Sequence, residues 1–215
     1  PELTNDLRST AVTFLSEVLD GLGVRRSSFV ANSLGSLWAS WLAVDQPARV
    51  DSLIHIGCPA LVLGTSAPRP MRLLSVRRLG PLIMKLDPPS PRQVTRLSMM
   101  VNEHPLPAGI AELLLASEQL PAHRRTLLST LQALIRLRGA RPEMTQTSDH
   151  LARITQPSLL IFAADDPFGG AEVGDLVASA LPNAQLHIVD GGHAPWLHHA
   201  DQIAPLITGF LPCRR

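Results

Sequence analysis

Hydrophobic positions recur along this chain with two different periods, and together they predict alternating strands and helices at both ends. Between residues 4 and 22, apolar residues recur every three or four positions, a spacing typical of one face of an amphipathic helix. That predicted stripe comprises Leu7, Ala11, Phe14, Val18 and Leu22. Short apolar runs bounded by Gly, Pro or Asn predict buried strands instead. We expect strands at residues 28–32, 50–56, 158–164 and 185–189, and further helices at residues 34–44, 171–181 and 202–211.

The middle of the chain has no clear strand pattern. It is rich in proline and arginine, and apolar spacing predicts helices at residues 110–120 and 124–137. Apolar strands that alternate with helices are typical of a mostly parallel sheet covered by helices on both faces, which is an α/β fold. We therefore expect a sheet-containing core formed by residues 1–58 and 151–215, interrupted by a helical insertion at residues 59–150.

Composition and charge narrow the classes of function. Hydrophobic residues make up 45% of the 215 residues and charged residues 17%, which predicts a folded core rather than disorder. The chain has a net charge of +1, but residues 69–141 contain 12 Lys or Arg and 4 Asp or Glu, a local net charge of +8. Two interpretations of this bias stay open: a solvated basic surface, or a lid that attracts anionic substrates or an anionic lipid surface.

Several partners and compartments are not expected. The basic residues are not interleaved with aromatic ones, so we expect no nucleic-acid partner. No run reaches the roughly 18 apolar residues of a membrane span, and no signal peptide opens the chain, which favours a cytoplasmic location. Cys58 and Cys213 are not expected to form a disulfide. The sequence leaves the oligomeric state undetermined.

The stretch FVANSLGS, residues 29–36, places a serine where a predicted strand gives way to a predicted helix. A tight strand–turn–helix connection holds its apex residue in a strained conformation and requires small residues two positions before and after it. Ala31 and Gly35 occupy those positions around Ser33. Leu34 would begin the helix with its N–H directed toward the apex, which suits a nucleophile whose attack creates an oxyanion.

At these residues the sequence resembles the α/β-hydrolase family, whose nucleophile elbow has the form small-x-Ser-x-Gly. Ala31 replaces the first glycine of the usual pattern, and it is still small. The resemblance implies a catalytic serine, acid and histidine in that order, with the acid after a late strand and the histidine after the last one. It implies no cofactor and no metal, a helical cap over the pocket, and a small-molecule substrate.

The acid and the histidine each have rival candidates. Asp166 matches the turn that the resemblance implies, in the run Ala163-Ala164-Asp165-Asp166-Pro167, while Asp165 and Asp190 stay open as alternatives. His193 follows a Gly-Gly turn 27 residues after Asp166, which leaves room for one helix and one strand between them. His198 and His199 lie nearby, but the three histidines lack the spacing of a metal-binding helix. The candidate catalytic residues are therefore Ser33, Asp166 and His193, with the Leu34 N–H in the oxyanion hole.

Three functions stay open. The first is a serine hydrolase of an ester or related acyl bond in a small apolar substrate. The second is a hydrolase of carbon–carbon bonds in aromatic ring-fission products, which the Asn32-Ser33 pair and the residues around His193 and Trp196 loosely resemble. The third is a non-catalytic binding protein with a hydrolase-like fold. For the apolar pocket, Met84, Met99, Met100 and Met144 are candidate lining residues, with the core as their alternative place.

Only four strands of a sheet that usually has eight in the resembling family are predicted, and only 32 residues precede Ser33. The chain begins with Pro1 rather than methionine, and no H-G-G or H-G-x-P stretch is present. The opening strands and the loop that supplies a second oxyanion N–H are therefore expected to be missing, so that we expect a truncated form with an unpaired edge on the elbow strand.

This expectation predicts weak or absent catalysis by the isolated chain. Loss of one oxyanion donor lowers a hydrolase rate by about 10²–10³. Steady-state turnover of p-nitrophenyl butyrate by the purified chain should therefore fall well below the rates usual for the resembling family, and turnover at those usual rates would contradict the expectation.

Overall fold

The computed structural model describes residues 7–65, 67–102 and 104–211. The chain divides into two compact units. The first, which we term the core unit, comprises Arg8–Thr65 and Gln146–Arg215. The second, which we term the helical unit, comprises Ser66–Thr145 together with Pro1–Leu7.

Parallel strands form the sheet of the core unit. The strands in the described residues are β1 (Ser27–Asn32), β2 (Val50–Ile56), β3 (Ile135–Arg136), β4 (Gly139–Ala140), β5 (Ser158–Ala163) and β6 (Ala184–Val189). The core sheet has the order β1-β2-β5-β6, and every neighbouring pair in it is parallel. The expected α/β fold with a mostly parallel sheet is confirmed.

Helices flank this sheet and make up most of the helical unit. They are α1 (Leu7–Gly21), α2 (Leu34–Asp45), α3 (Arg69–Leu74), α4 (Leu79–Leu86), α5 (Pro91–Asn102), α6 (Ala108–Gln119), α7 (Pro121–Leu134), α8 (Ser148–Leu151), α9 (Ala171–Ala180) and α10 (Ala200–Phe210). The start expected for α1 at residue 4 lies outside the described residues. Helix α10 begins two residues before its expected start and contains Pro205, so this proline does not delay the helix.

The apolar stripe predicted for α1 is wrong in its second half. Leu7 and Ala11 are buried, but Phe14 and Val18 are 52% and 42% exposed, and Leu19 is buried in their place. Two apolar rows with helical spacing overlap on this helix, and periodicity does not show which one faces the sheet. Phe14 instead makes an edge-to-face contact with the Trp38 ring of α2, at a centroid distance of 6.2 Å.

The core of the sheet lies around β2 and β5. All six residues of β5 are buried, as expected for a strand with a neighbour on each side and helices on both faces. Strand β1 lies at one edge and has a single neighbour among the described strands. Its residue Val30 is 53% exposed. The elbow strand therefore has an open edge, in agreement with the sequence-based expectation.

The helical unit contains α3 to α7 and a short antiparallel ribbon of β3 and β4. The helix expected at residues 124–137 ends earlier, at Leu134, and the two strands that follow have only two residues each, too short to give a clear strand pattern. Ile135 is extended, with φ −130°, and Gly139 closes the turn with φ +133°, a conformation that glycine adopts at low cost. None of the helices that the structure describes combines the length and apolar character needed to cross a bilayer.

A histidine is buried in the centre of the core sheet. His55 of β2 pairs in register with Ala31 of β1 and Leu160 of β5, and it is 3% exposed. Its Nδ1 is buried and has no hydrogen-bond partner in the described part of the chain. Burial disfavours the imidazolium, which lowers the pKa of His55 from 6.5 to about 4.

We expect His55 to make the protein acid-sensitive. Because its pKa is lower in the folded state, its contribution to stability is complete above pH 6.5 and is lost as the pH falls toward 4. A shift of this size corresponds to about 3 kcal/mol in the free energy of unfolding. Urea denaturation between pH 7.5 and pH 4.5 should show a smaller loss of stability in His55→Gln than in the wild type.

His187→Gln is the matched control, because His187 lies on β6 and its side chain is exposed. It should keep the wild-type pH dependence. Equal pH slopes in the wild type and both variants would contradict the role assigned to His55.

Candidate active site

Ser33 lies between the last residue of β1 and the first residue of α2. Its backbone has φ 52° and ψ −111°, a combination that is costly for a residue with a side chain. The surrounding structure holds it there: the Ser33 carbonyl accepts hydrogen bonds from the N–H groups of Leu37, at 3.2 Å, and Ala60, at 3.0 Å. The predicted strand–turn–helix connection is thus present, with the serine at its strained apex.

Small residues surround this apex. A Cβ placed on Gly35 would lie 3.7 Å from the Cβ of Ala31, which is ordinary contact, so a second small side chain would also fit at this position. The Ser36 hydroxyl donates a hydrogen bond to the Ala31 carbonyl at 3.1 Å and closes the turn. Leu34 is the first residue of α2, so its N–H belongs to the first helical turn, whose donors have no acceptor within the helix.

Asn32 connects the serine turn to the loop after β6. Its side-chain amide donates to the Ile56 carbonyl at 2.6 Å and to the His193 carbonyl at 2.9 Å. Gly57, which follows β2, has φ +72°, and a Cβ there would lie 2.3 Å from the His193 oxygen. Only glycine therefore permits the His193 backbone to come so close to the end of β2.

The Asp166 carboxylate is buried and contacts His193 directly. Its Oδ2 and Oδ1 lie 2.9 and 3.1 Å from His193 Nδ1. The Cys58 N–H donates to Oδ2 at 2.8 Å, and the Phe168 N–H donates to Oδ1 at 2.9 Å. A carboxylate held in this way fixes the imidazole orientation and favours the tautomer that carries its proton on Nδ1.

The rival aspartates occupy different surroundings. The side chains of Asp165 and Asp190 are exposed, whereas that of Asp166 is fully buried. Asp165 takes part in the loop through its backbone, donating its N–H to the Gly191 carbonyl at 3.1 Å. Of the three candidates, Asp166 is the one whose carboxylate contacts His193.

His193 is 7% exposed, and an aromatic ring packs against its imidazole. The Phe168 ring lies 4.3 Å from it between centroids, at an interplanar angle of 44°. His198 is exposed and His199 half-buried on the approach to α10. Within residues 7–65, 67–102 and 104–211, no three His, Cys, Asp or Glu side chains are grouped to hold a metal ion.

Cys58 is a buried free thiol next to this pair. Burial, with a further contribution from the negative charge of Asp166, raises the pKa of the Cys58 thiol. The thiol therefore stays protonated near neutral pH and is a poor nucleophile. Cys213, the other cysteine of the chain, lies outside the described residues, so the expectation of no disulfide stays a prediction.

The structure places the three sequence-predicted residues at one edge of the sheet, each after the carboxyl end of a different strand. Asp166 and His193 are in direct contact, whereas no hydrogen bond joins Ser33 to His193 within the described residues. Ser33 follows β1, Asp166 follows β5 and His193 follows β6. Sequence reasoning did not find the contributions of Cys58, Phe168 and Gly57. Two of these contributions are backbone N–H groups, and the third is an absent side chain, so residue types carry little signal for them.

Comparison with known proteins gives a consistent result. A family model described as alpha/beta hydrolase fold matches residues 4–200. A 2-hydroxy-6-oxononadienedioate/2-hydroxy-6-oxononatrienedioate hydrolase from Pseudomonas sp. is 28% identical over 198 residues, which are 90% of this chain and 66% of that protein. The chain therefore spans just under two thirds of the length of this relative, and the same share holds for several others of that name.

Solved structures share the fold. A variant of a meta-cleavage product hydrolase from Pseudomonas fluorescens superposes with a TM-score of 0.74 at 18% identity, covering 98% of this chain and 73% of that one. A carboxylesterase from Bacillus subtilis gives a TM-score of 0.65 at 16% identity, covering 94% of this chain and 66% of that one.

The geometry predicts that Asp166, and not Asp165, controls the reactivity of Ser33. Asp166→Asn keeps the size of the side chain but favours the wrong imidazole tautomer, which lowers nucleophilic reactivity by up to about 10⁴. The second-order rate constant for fluorophosphonate labelling should fall accordingly in Asp166→Asn and stay near the wild-type value in Asp165→Asn. Circular dichroism would verify that both variants fold. A larger loss in Asp165→Asn would contradict the assignment.

Proposed function

Since the chain belongs to the alpha/beta hydrolase fold family, we propose that it carries the Ser-Asp-His machinery of a hydrolase that cleaves carbon–carbon bonds in 2-hydroxy-6-oxo-dienoates. In this proposal Ser33 is the nucleophile, His193 the general base and acid, and Asp166 the residue that orients His193. The Leu34 N–H contributes one donor of the oxyanion hole.

The single observation that carries a serine hydrolase is the contact between Asp166 and His193. Nδ1 of the imidazole lies 2.9 Å from a carboxylate whose side chain is fully buried. This leaves Nε2 as the basic nitrogen, which is the arrangement that serine activation requires. The Asn32 amide, bonded to the His193 carbonyl, supports the placement of the neighbouring Ser33 close to that base.

The substrate first moves the proton of its 2-hydroxyl to C5, which gives the keto tautomer, and the reaction then follows in two stages. Ser33 Oγ attacks the 6-oxo carbon while His193 Nε2 accepts the hydroxyl proton, and the C5–C6 bond breaks. Its electron pair goes to C5, where His193 returns the proton, and an acyl-enzyme ester remains on Ser33. Water then attacks this ester, with His193 again as base, and releases a carboxylic acid and free Ser33, so that one water is consumed.

Cleavage of a carbon–carbon bond requires stabilisation of a carbanion as the leaving group. In the keto tautomer of the substrate, a C2 ketone is conjugated with a C3–C4 double bond, so a carbanion at C5 is delocalised into the C2 oxygen. A site that binds this conjugated chain stabilises the leaving group and makes cleavage possible at a serine. Support for this substrate class comes from the curated relatives, of which several have the name of a hydrolase of 2-hydroxy-6-oxo-dienedioates.

The proposal assigns the cap function to the helical unit, within the insertion expected at residues 59–150. It follows β2 and precedes β5 in the sequence, so it interrupts the core unit without interrupting a strand. The net charge of +8 over residues 69–141 favours substrates with carboxylate groups, and dienedioates carry two of them.

Ester hydrolysis is the second candidate. The same three residues and the same acyl-enzyme serve an ester, whose alkoxide leaving group needs less stabilisation than a carbanion. The superposition on a carboxylesterase supports it at the level of the fold. The two candidates differ in the leaving group, so substrates that differ only in that group separate them.

We expect the purified protein to have a higher kcat/KM for 2-hydroxy-6-oxonona-2,4-dienedioate than for p-nitrophenyl butyrate. Loss of the dienoate absorbance and release of p-nitrophenolate measure the two reactions. Ser33→Ala should abolish both turnover and fluorophosphonate labelling, because both need the nucleophile. Ser179→Ala is the matched control, since that hydroxyl is exposed and bonds within α9.

The outcomes separate the candidates. Preference for p-nitrophenyl butyrate would replace carbon–carbon hydrolysis with ester hydrolysis. Labelling that persists in Ser33→Ala would overturn the assignment of Ser33 as the nucleophile. No labelling and no turnover of either substrate by a longer form of the protein that carries the expected missing strands would favour a non-catalytic binding protein.

A further inference from the structure

One face of α7 in the helical unit forms the wall of two cavities. The residues on this face recur at helical spacing, at positions 121, 124, 125, 128, 129 and 132. The first cavity, of about 390 Å³, is lined by α4 and the beginning of α7. The second, of about 300 Å³, is lined by the end of α3, the middle of α7 and the chain after β4. Arg125 and Leu128 line both cavities, so the two adjoin at these residues.

Cationic side chains line both cavities, and no acidic side chain lines either of them. Lys85, Arg124 and Arg125 line the first cavity. Arg77, Arg125 and Arg141 line the second. The side chains of Arg77, Lys85 and Arg125 are exposed, so solvent screens much of the repulsion between these cations, and a bound anion would reduce it further.

Few of these charges are satisfied within the protein. Arg124 donates to the Met84 carbonyl, and Arg141 donates to the Gln132 carbonyl at 2.9 Å and lies 3.6 Å from Glu143. The side chains of Arg77, Lys85 and Arg125 make no hydrogen bond or ion pair with other residues in the part of the chain that the structure describes. The shared residue Arg125 is therefore an exposed cation without a protein partner, next to both cavities.

The first cavity is otherwise apolar. Its remaining lining consists of Pro81, Met84, Pro88, Pro121 and Leu128. The second cavity is polar, with the side chains of Ser75, Ser129 and Gln132 beside its arginines. Apolar and cationic side chains that line the same cavity are complementary to a molecule with an apolar body and an anionic head.

We infer that these two cavities, which share Arg125 and Leu128, form a binding site for an amphipathic organic anion, in which Arg125 contacts a carboxylate or phosphate head and Leu128 contacts the apolar body. The site lies wholly within the helical unit. The inference is independent of the proposed reaction, because it needs neither Ser33 nor His193.

NMR titration with 5-phenylpentanoate tests this site on the wild-type protein. Backbone amide shifts should change along residues 121–133 of α7 and saturate with a Kd of about 1 mM, the affinity usual for a ligand of this size. 5-Phenylpentanol, which lacks the charge, and inorganic phosphate, which lacks the apolar body, should each bind at least about tenfold more weakly. 5-Phenylpentyl phosphate distinguishes the head groups, and the tighter of the two anions identifies the preferred one.

Two substitutions assign the contacts. Arg125→Ala should weaken 5-phenylpentanoate about tenfold or more, since it removes the cation that both cavities share. Leu128→Ala should weaken 5-phenylpentanoate and leave the weak binding of inorganic phosphate unchanged. Arg138→Ala is the control, because it removes the same charge from an exposed residue of the helical unit that lines neither cavity.

Equal weakening by Arg125→Ala and Arg138→Ala would show only general attraction to a basic surface and would overturn the site. Shift changes confined to the residues around Ser33 and His193 would place the anion at the candidate active site and would also overturn it. Because the readout is binding at α7, failure of this inference leaves the proposed hydrolase intact, and inactivity toward the dienedioate leaves this inference intact.

Discussion

A buried carboxylate is the constraint on which the candidate active site depends. The Asp166 side chain has no exposed surface, so its charge is stable there only if hydrogen-bond donors surround it. The donors come from three places. They are the N–H of Cys58 just after β2, the N–H of Phe168, which lies two residues after Asp166 in the loop that follows β5, and the His193 imidazole after β6. Removal of any donor would leave part of a charge unsatisfied, so loops that follow three different strands are held at fixed distances.

Asn32 extends this constraint to the fourth strand of the core sheet. Its amide bonds to carbonyls at the end of β2 and at His193, so the residue before the candidate nucleophile is anchored to the residue that would activate it. Gly57 makes the approach possible, because a side chain there would collide with the His193 oxygen. The strained conformation of Ser33 is thus stabilised by contacts whose partners lie far away in the sequence.

Parts of this arrangement are readable from the sequence and parts are not. The strands, the helices that flank them and the strained turn at Ser33 follow from local apolar runs and from small residues at fixed spacing. Asp166 was distinguished from Asp165 by its match to a family turn, since a sequence shows no difference in burial between adjacent aspartates. The contacts of Cys58, Phe168 and Gly57 depend on backbone atoms that meet only after folding. Cys58 and Asp166, for example, are 108 residues apart, so no pattern of residue types predicts their contact. The wrong half of the α1 stripe has a related cause, because the sequence contains two apolar rows and tertiary packing chooses between them.

The Asp166–His193 pair and the positive charge of residues 69–141 are the two features to consider for reaction specificity. In the proposed mechanism the pair Asp166 and His193 would serve ester and carbon–carbon hydrolysis equally, because in both reactions it would activate one serine and protonate one leaving atom. Positive charge over residues 69–141 attracts anions, but screening at physiological salt limits that attraction to roughly 8 Å and makes it insensitive to which bond will break. Neither feature therefore selects the reaction. The choice between an oxygen and a carbon leaving group must come from short-range contacts with the atoms that receive the electron pair, and a carbanion, which has the higher energy of the two, depends more strongly on those contacts.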